Sequence, residues 1–149
     1  MNKQQLSERI RRTKILFKEL GCKIVGGKNT GDVYTAGFDN KAGIHGGFYI
    51  DKESKFLEIV YTFSFSLSMH EFIKERLEKM LSICYEYGCY INIQNDNTEI
   101  LFSVFTKLYF SGLNYYSLKD SLKDFTQCVS ILTEIIDIEN DGILDEEVL

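Results

Sequence analysis

The chain has 149 residues, 44% of them hydrophobic, with neither proline nor tryptophan and a net charge of −5. That length and apolar fraction fit one globular domain with a sizeable core and exclude a disordered chain. The acidic balance argues against nucleic acid as a partner, and no apolar run reaches the ~18 residues of a membrane span.

Residues 2–20 carry a helical stripe, Leu6, Ile10, Phe17 and Leu20, widened by Ile15 and Leu16, and Gly21 stops it. Arg9, Arg11 and Arg12 fall away from the stripe. They read either as an anion or acidic-partner site or, preferably, as a solvated face paired with acids. Residues 22–51 read as strands joined by glycine-rich turns. Cys22–Val25 is a short extended piece, GGKNTGD (Gly26–Asp32) a turn, Asp32–Phe38 a strand, Asp39–Gly43 a turn and Ile44–Asp51 a strand.

The stretch from Phe56 to Gly88 is the most strongly patterned. Leu57, Ile59, Tyr61, Phe63, Phe65 and Leu67 alternate with smaller or polar residues, as in a strand with one face on a core. The period changes at Ser68, where Ser68 and Glu71 have the spacing of a capping box and Leu67 and Phe72 that of a hydrophobic staple. Met69, Phe72, Ile73, Leu77, Met80, Leu81 and Cys84 then follow helical spacing. Glu75 and Lys79 offer an ion pair on the other face, and Gly88 supplies the stop.

Cys89–Gln94 and Glu99–Phe110 form a hairpin about Asn95-Asp96-Asn97. In the second strand Ile100, Phe102, Val104, Leu108 and Phe110 share one face. The opposite face carries Leu101, Phe105 and Tyr109, a second apolar set that suggests cover by a helix, a partner or another subunit. The last helix is expected from Ser117, capped with Asp120, along Leu118, Leu122, Phe125, Val129, Leu132 and Ile136. The result is a single α+β domain over 1–137, with three helices and an antiparallel sheet of about five strands in the order α-β-β-β-α-β-β-α. Residues 138–149 are read as a mobile acidic tail.

Motifs for chemistry are weak. Asp137, Glu139, Asp141, Gly142 and Asp145 imitate a calcium loop, but Val148 stands where the bidentate glutamate belongs, so an acidic tail is the better reading. Gly26-Gly27-Lys28 fails the phosphate-loop pattern at Cys22 and Asn29. His45 lies in a glycine-flanked turn and His70 beside a helix start. Cys22, Cys84, Cys89 and Cys128 are scattered, without metal spacing or a nucleophile signature, and neither a disulfide set nor a cofactor is expected. The candidate partner-binding residues are Leu101, Phe105, Tyr109, Tyr115 and Tyr116, since amphipathic aromatics dominate binding surfaces; the alternative is that the aromatics pack under the last helix.

The element order, with the strand YTFSFSLS, the helix MHEFIKERLEKMLSICYEYG, the hairpin that follows and the SGLNYYSLKDSL entry to the last helix, resembles the fold of type III secretion chaperones and YbjN-type bacterial sensory-transduction regulators. The likeness is best over Tyr61 to Ile136; the first third matches by element order alone. The end of the central helix, ICYEYG, departs from the asparagine-rich end frequent in YbjN-type chains. The resemblance implies no enzyme activity. It implies a bacterial, cytoplasmic, chaperone-like or regulatory protein that binds a protein partner or itself as a homodimer, by strand addition or groove binding. The alternative is a small enzyme or small-molecule-binding protein using a pocket between sheet and helices, near His45 or Cys89.

Overall fold

The structure is a computed structural model that describes residues 5–41, 43 and 45–136 in full; for 3, 4 and 137–148 only the helical backbone is assigned. The acidic-tail and calcium-loop expectations, on 137–149, lie outside the described residues. The elements are α1 (Lys3–Glu19), β1 (Lys23–Asn29), β2 (Val33–Asp39), β3 (His45–Asp51), β4 (Phe56–Ser66), α2 (His70–Glu86), β5 (Tyr90–Asn95), β6 (Glu99–Tyr109) and α3 (Tyr115–Val148).

The fold is α+β: three helices and one open antiparallel sheet in the order β1-β2-β3-β4-β6-β5. Six strands form it rather than about five. The extra length comes from β1, which continues through Gly26 and Gly27 instead of turning there. The register slips by one residue between Val25 and Lys28, so the two glycines absorb a bulge and the turn falls at Thr30–Asp32.

Alternation in each strand sends one set of side chains to the helices. Tyr34, Phe38, Phe48, Ile50, Leu57, Ile59, Ile100, Phe102 and Val104 are all buried, as the pattern of β4 and β6 predicts. Phe17 carries α1 into this layer, its ring 4.7 Å from Phe48 and 4.9 Å from Phe38. Such ring pairs add about 0.5–1.5 kcal/mol beyond area burial.

Of the arginines of α1, Arg11 and Arg12 are exposed, as a solvated face requires, but among the described residues only Arg11 pairs with an acid, Glu8, holding its carboxyl below the usual carboxylate range. Arg9 donates to the Ser54 carbonyl at 2.9 Å and lies over the Phe110 ring, and Arg12 donates to the Leu113 carbonyl. Two of the three charges therefore clamp α1 to distant loops.

The helix ends divide into those that follow the sequence signals and those that do not. α1 and α2 both stop at a glycine with positive φ, +82° at Gly21 and +69° at Gly88. In each case the next two amides reach back: Gly88 N–H to Tyr85 and Cys89 N–H to Cys84, Gly21 N–H to Lys18 and Cys22 N–H to Phe17. The starts differ from expectation. β4 runs straight into a tight 3-10 turn at Leu67–Met69, so Ser68 sits inside that turn. Its hydroxyl meets Ser66 at 2.6 Å, and no side chain caps α2. Glu75 meets Arg76 at 3.5 Å rather than Lys79. α3 is capped by Asn114, not Ser117. Asn114 Oδ1 accepts from the Ser117 amide and Ser117 Oγ accepts from the Asn114 amide, both at 2.9 Å, a reciprocal box one turn earlier than predicted.

Candidate interaction site

The second face of the sheet is the chemically distinctive surface. β4 and β6 pair along their full lengths, placing Phe56 opposite Tyr109, Glu58 opposite Lys107 and Val60 opposite Phe105. β5 adds Tyr90 opposite Phe105, and β3 adds Tyr49 opposite Glu58. These residues alternate with the buried set and so point away from the helices. Among the described residues, no helix covers them: Tyr109, Tyr90 and Tyr49 are 58%, 55% and 42% exposed.

The patch is ordered from within. Phe56 and Tyr109 lie 4.6 Å apart between ring centres, and Tyr90 stacks on Phe105 at 5.4 Å. The Lys107 ammonium sits between the two pairs, 5.1 Å from the Phe56 ring, 5.7 Å from Tyr90 and 5.9 Å from Phe105. An ammonium over aromatic faces is attracted by their quadrupoles, by about 0.5–1 kcal/mol where water still reaches it. The group presents aromatic area, one cation and one carboxylate (Glu58).

Of the five residues singled out from sequence, Leu101, Phe105 and Tyr109 share this face. Tyr115 and Tyr116 do not join them. They open α3, on the helix side of the sheet, packed edge to face at 5.3 Å. Phe105 and Tyr109 are thus not packed beneath the last helix. Sequence reading missed Phe56, Tyr90, Tyr49 and Lys107. The signal was partial: Tyr49 and Tyr90 alternate with inward residues of their own strands, but only the β4–β6 register puts Phe56 against Tyr109.

Hollows among the described residues lie against α3 on the helix side. A groove of about 770 Å³ separates the end of α1 from α3, bordered by Leu20, Tyr115, Lys119 and Thr126. A smaller one, about 360 Å³, lies between His45, Tyr61 and α3. His45 is exposed, its Nδ1 3.2 Å from the Gly43 carbonyl and its ring edge-on to Tyr61. Cys89 borders neither hollow. It lies instead near a pair of buried thiols, its own S–H directed at the Tyr87 carbonyl at 3.7 Å. Cys84 and Cys128 approach to 3.8 Å between sulfurs, and Cys128 also faces Cys89. Hydrogen bonding to Cys128, then burial, raises the Cys84 and Cys89 thiols above the ordinary range, and hydrogen bonding to those two thiols holds Cys128 below it. Among the described residues, no three His, Cys, Asp or Glu side chains are arranged to hold a metal ion, and no helix is long and apolar enough to cross a membrane.

No family model matches the sequence, and no curated protein matches it. A solved structure described as an uncharacterized protein from Methanothermobacter thermautotrophicus is similar, with a TM-score of 0.66, 13% identity, and coverage of 87% of this chain and 97% of that one. At that identity the likeness concerns the fold alone.

Proposed function

We propose that the chain is a non-enzymatic protein-binding module, chaperone-like or regulatory, that works through the uncovered face of its sheet. The observation that carries this reading is the Phe56–Tyr109 and Tyr90–Phe105 pairs held around Lys107, an organised aromatic surface that no helix covers among the described residues. Six strands at ~4.8 Å spacing make a face ~24 Å across, and an eleven-residue strand is ~36 Å long. That extent approaches the ~800 Å² per partner of a standard interface. The occupant that fits is a second copy of this chain. Glu58 and Lys107 stand side by side at the centre, so a two-fold axis through the patch would set each carboxylate near a partner ammonium. The setting is the cytoplasm, and the secretion-chaperone and YbjN-type resemblance agrees with such a role.

Light scattering across micromolar concentrations tests it. A dimer is expected, and Phe105→Glu with Tyr109→Glu should give a folded monomer. A wild-type chain that stays monomeric at every concentration rules out the second copy as occupant.

A small-molecule site is the second reading. Thr126 borders both hollows, and its buried Oγ1 has no hydrogen-bond partner among the described residues. A ligand there would move the NMR signals of Tyr115 and Ser130 and leave those of Tyr109 in place.

A further inference from the structure

The end of α2 brings two thiols together by local geometry. In the glycine stop at Gly88, the residue after the glycine folds back onto the last turn, and its amide bonds to the carbonyl four residues before the glycine. Here those two residues are Cys89 and Cys84, joined by a 2.8 Å backbone bond. α3 then supplies Cys128, whose sulfur lies 3.8 Å from that of Cys84, with Cys89 one turn-closing residue away, where α2, α3 and the start of β5 converge. Cys128 and Cys84 are 0% and 2% exposed, and Cys89, at 7%, stands nearest to solvent. The fourth cysteine, Cys22, is on the opposite edge of the sheet, after α1.

We propose that Cys84, Cys89 and Cys128 are an oxidisable site, in which Cys128 is the attacking sulfur and Cys84 or Cys89 resolves it to a disulfide. The oxidant is a hydroperoxide. Cys128 thiolate attacks the distal peroxide oxygen: an S–O bond forms, the O–O bond breaks, and the alkoxide leaves as alcohol after taking a proton. Cys128, oxidised by two electrons, is then a sulfenic acid with two thiols beside it. Cys84 attacks the Cys128 sulfur, forming S–S and breaking S–O, and the hydroxide leaves as water with the Cys84 proton. One hydroperoxide and two thiols give one disulfide, one alcohol and one water. From 3.8 Å the sulfurs must close by ~1.8 Å to reach the ~2.05 Å bond. Beside the 3.8 Å contact with Cys84, hydrogen bonding to its neighbouring thiols lowers the Cys128 pKa, which favours the thiolate, the reactive form. The product would tie α2 to α3.

The test treats the folded full-length chain with hydrogen peroxide and counts thiols after denaturation, with peptide mapping. Wild type should fall from four thiols to two, with Cys22 retained and the pair lost at least about tenfold faster than Cys22. Cys128→Ala should form no disulfide. Cys84→Ser combined with Cys89→Ser should stop at a sulfenic acid on Cys128, trapped by dimedone. If Cys128→Ala does not fold, wild-type mapping and the double variant still decide. Four thiols remaining in wild type, loss of Cys22 first, or an unslowed disulfide in Cys128→Ala would each overturn the proposal.

Discussion

The two faces of the sheet are built from the same strands by the same alternation, yet they answer to different demands. On the inner face Phe102 is 0% exposed and packed among residues from every layer. At odd positions of β6, Ser103 and Phe105 face outward, where no helix covers them among the described residues. Inner residues are fixed by the folding of this chain. Outer aromatics contribute little to folding alone, so their chemistry is better explained by what meets them. Apolar character by itself does not separate the two faces. Cover does.

Substitutions can break that contrast. The largest effect expected is Phe102→Ala, which leaves a cavity under α3 and should cost about 3–5 kcal/mol in chemical denaturation. Gly88→Val should cost at least about 1–2 kcal/mol, because a β-branched residue must adopt the left-handed conformation that closes α2. Asn114→Ala should cost about 1 kcal/mol, whereas Ser68→Ala should change stability little, since Ser68 caps no helix. Phe105→Ser with Tyr109→Ser should cost about 0.5–1.5 kcal/mol per site for the monomer, the worth of each ring pair, while weakening association. If that pair cost as much as Phe102→Ala, the outer face would be core and the contrast would fail.

The smallest effect concerns Asp96 at the β5–β6 turn. Its carboxylate accepts from the Thr98 hydroxyl and from the Thr98 and Glu99 amides, which lowers its pKa. A lowered folded-state pKa gives stability that is complete above the unfolded value, ~3.9, and lost as pH falls through the folded one. Melting of Asp96→Ala should therefore differ from wild type at neutral pH and converge with it in strong acid. Equal melting at neutral pH would show that the turn holds without this carboxylate.

Much of the fold was legible because it is local. Alternation in β4 and β6, the stripes of the helices and the glycine stops all depend on residues a few positions apart. The errors were local too, but competitive. Ser68 had cap spacing, yet the strand left no room ahead of it, and Asn114 took the cap that Ser117 appeared to offer. Gly26-Gly27 reads as a turn because glycine permits turns and bulges alike; β2 decides which. The candidate site was half legible. Leu101, Phe105 and Tyr109 declare their face by parity, whereas Phe56 and Lys107 join through a register that sequence does not print. The thiol cluster shows the same division. Cys84 and Cys89 are neighbours by the geometry of a helix end, but Cys128 arrives from a helix 44 positions along the chain.

The clamp on α1 also has a consequence in time. Arg12 reaches the Leu113 carbonyl across 101 positions, and Arg9 reaches Ser54 across 45. At the ~5–20 residues per second of synthesis, the helix emerges roughly 5–20 s before its second anchor exists. Until then the apolar stripe of α1 has only part of its seat. α1 is made before the other two helices yet is among the last elements to be secured, and a nascent chain halted before Leu113 should leave α1 open to protease.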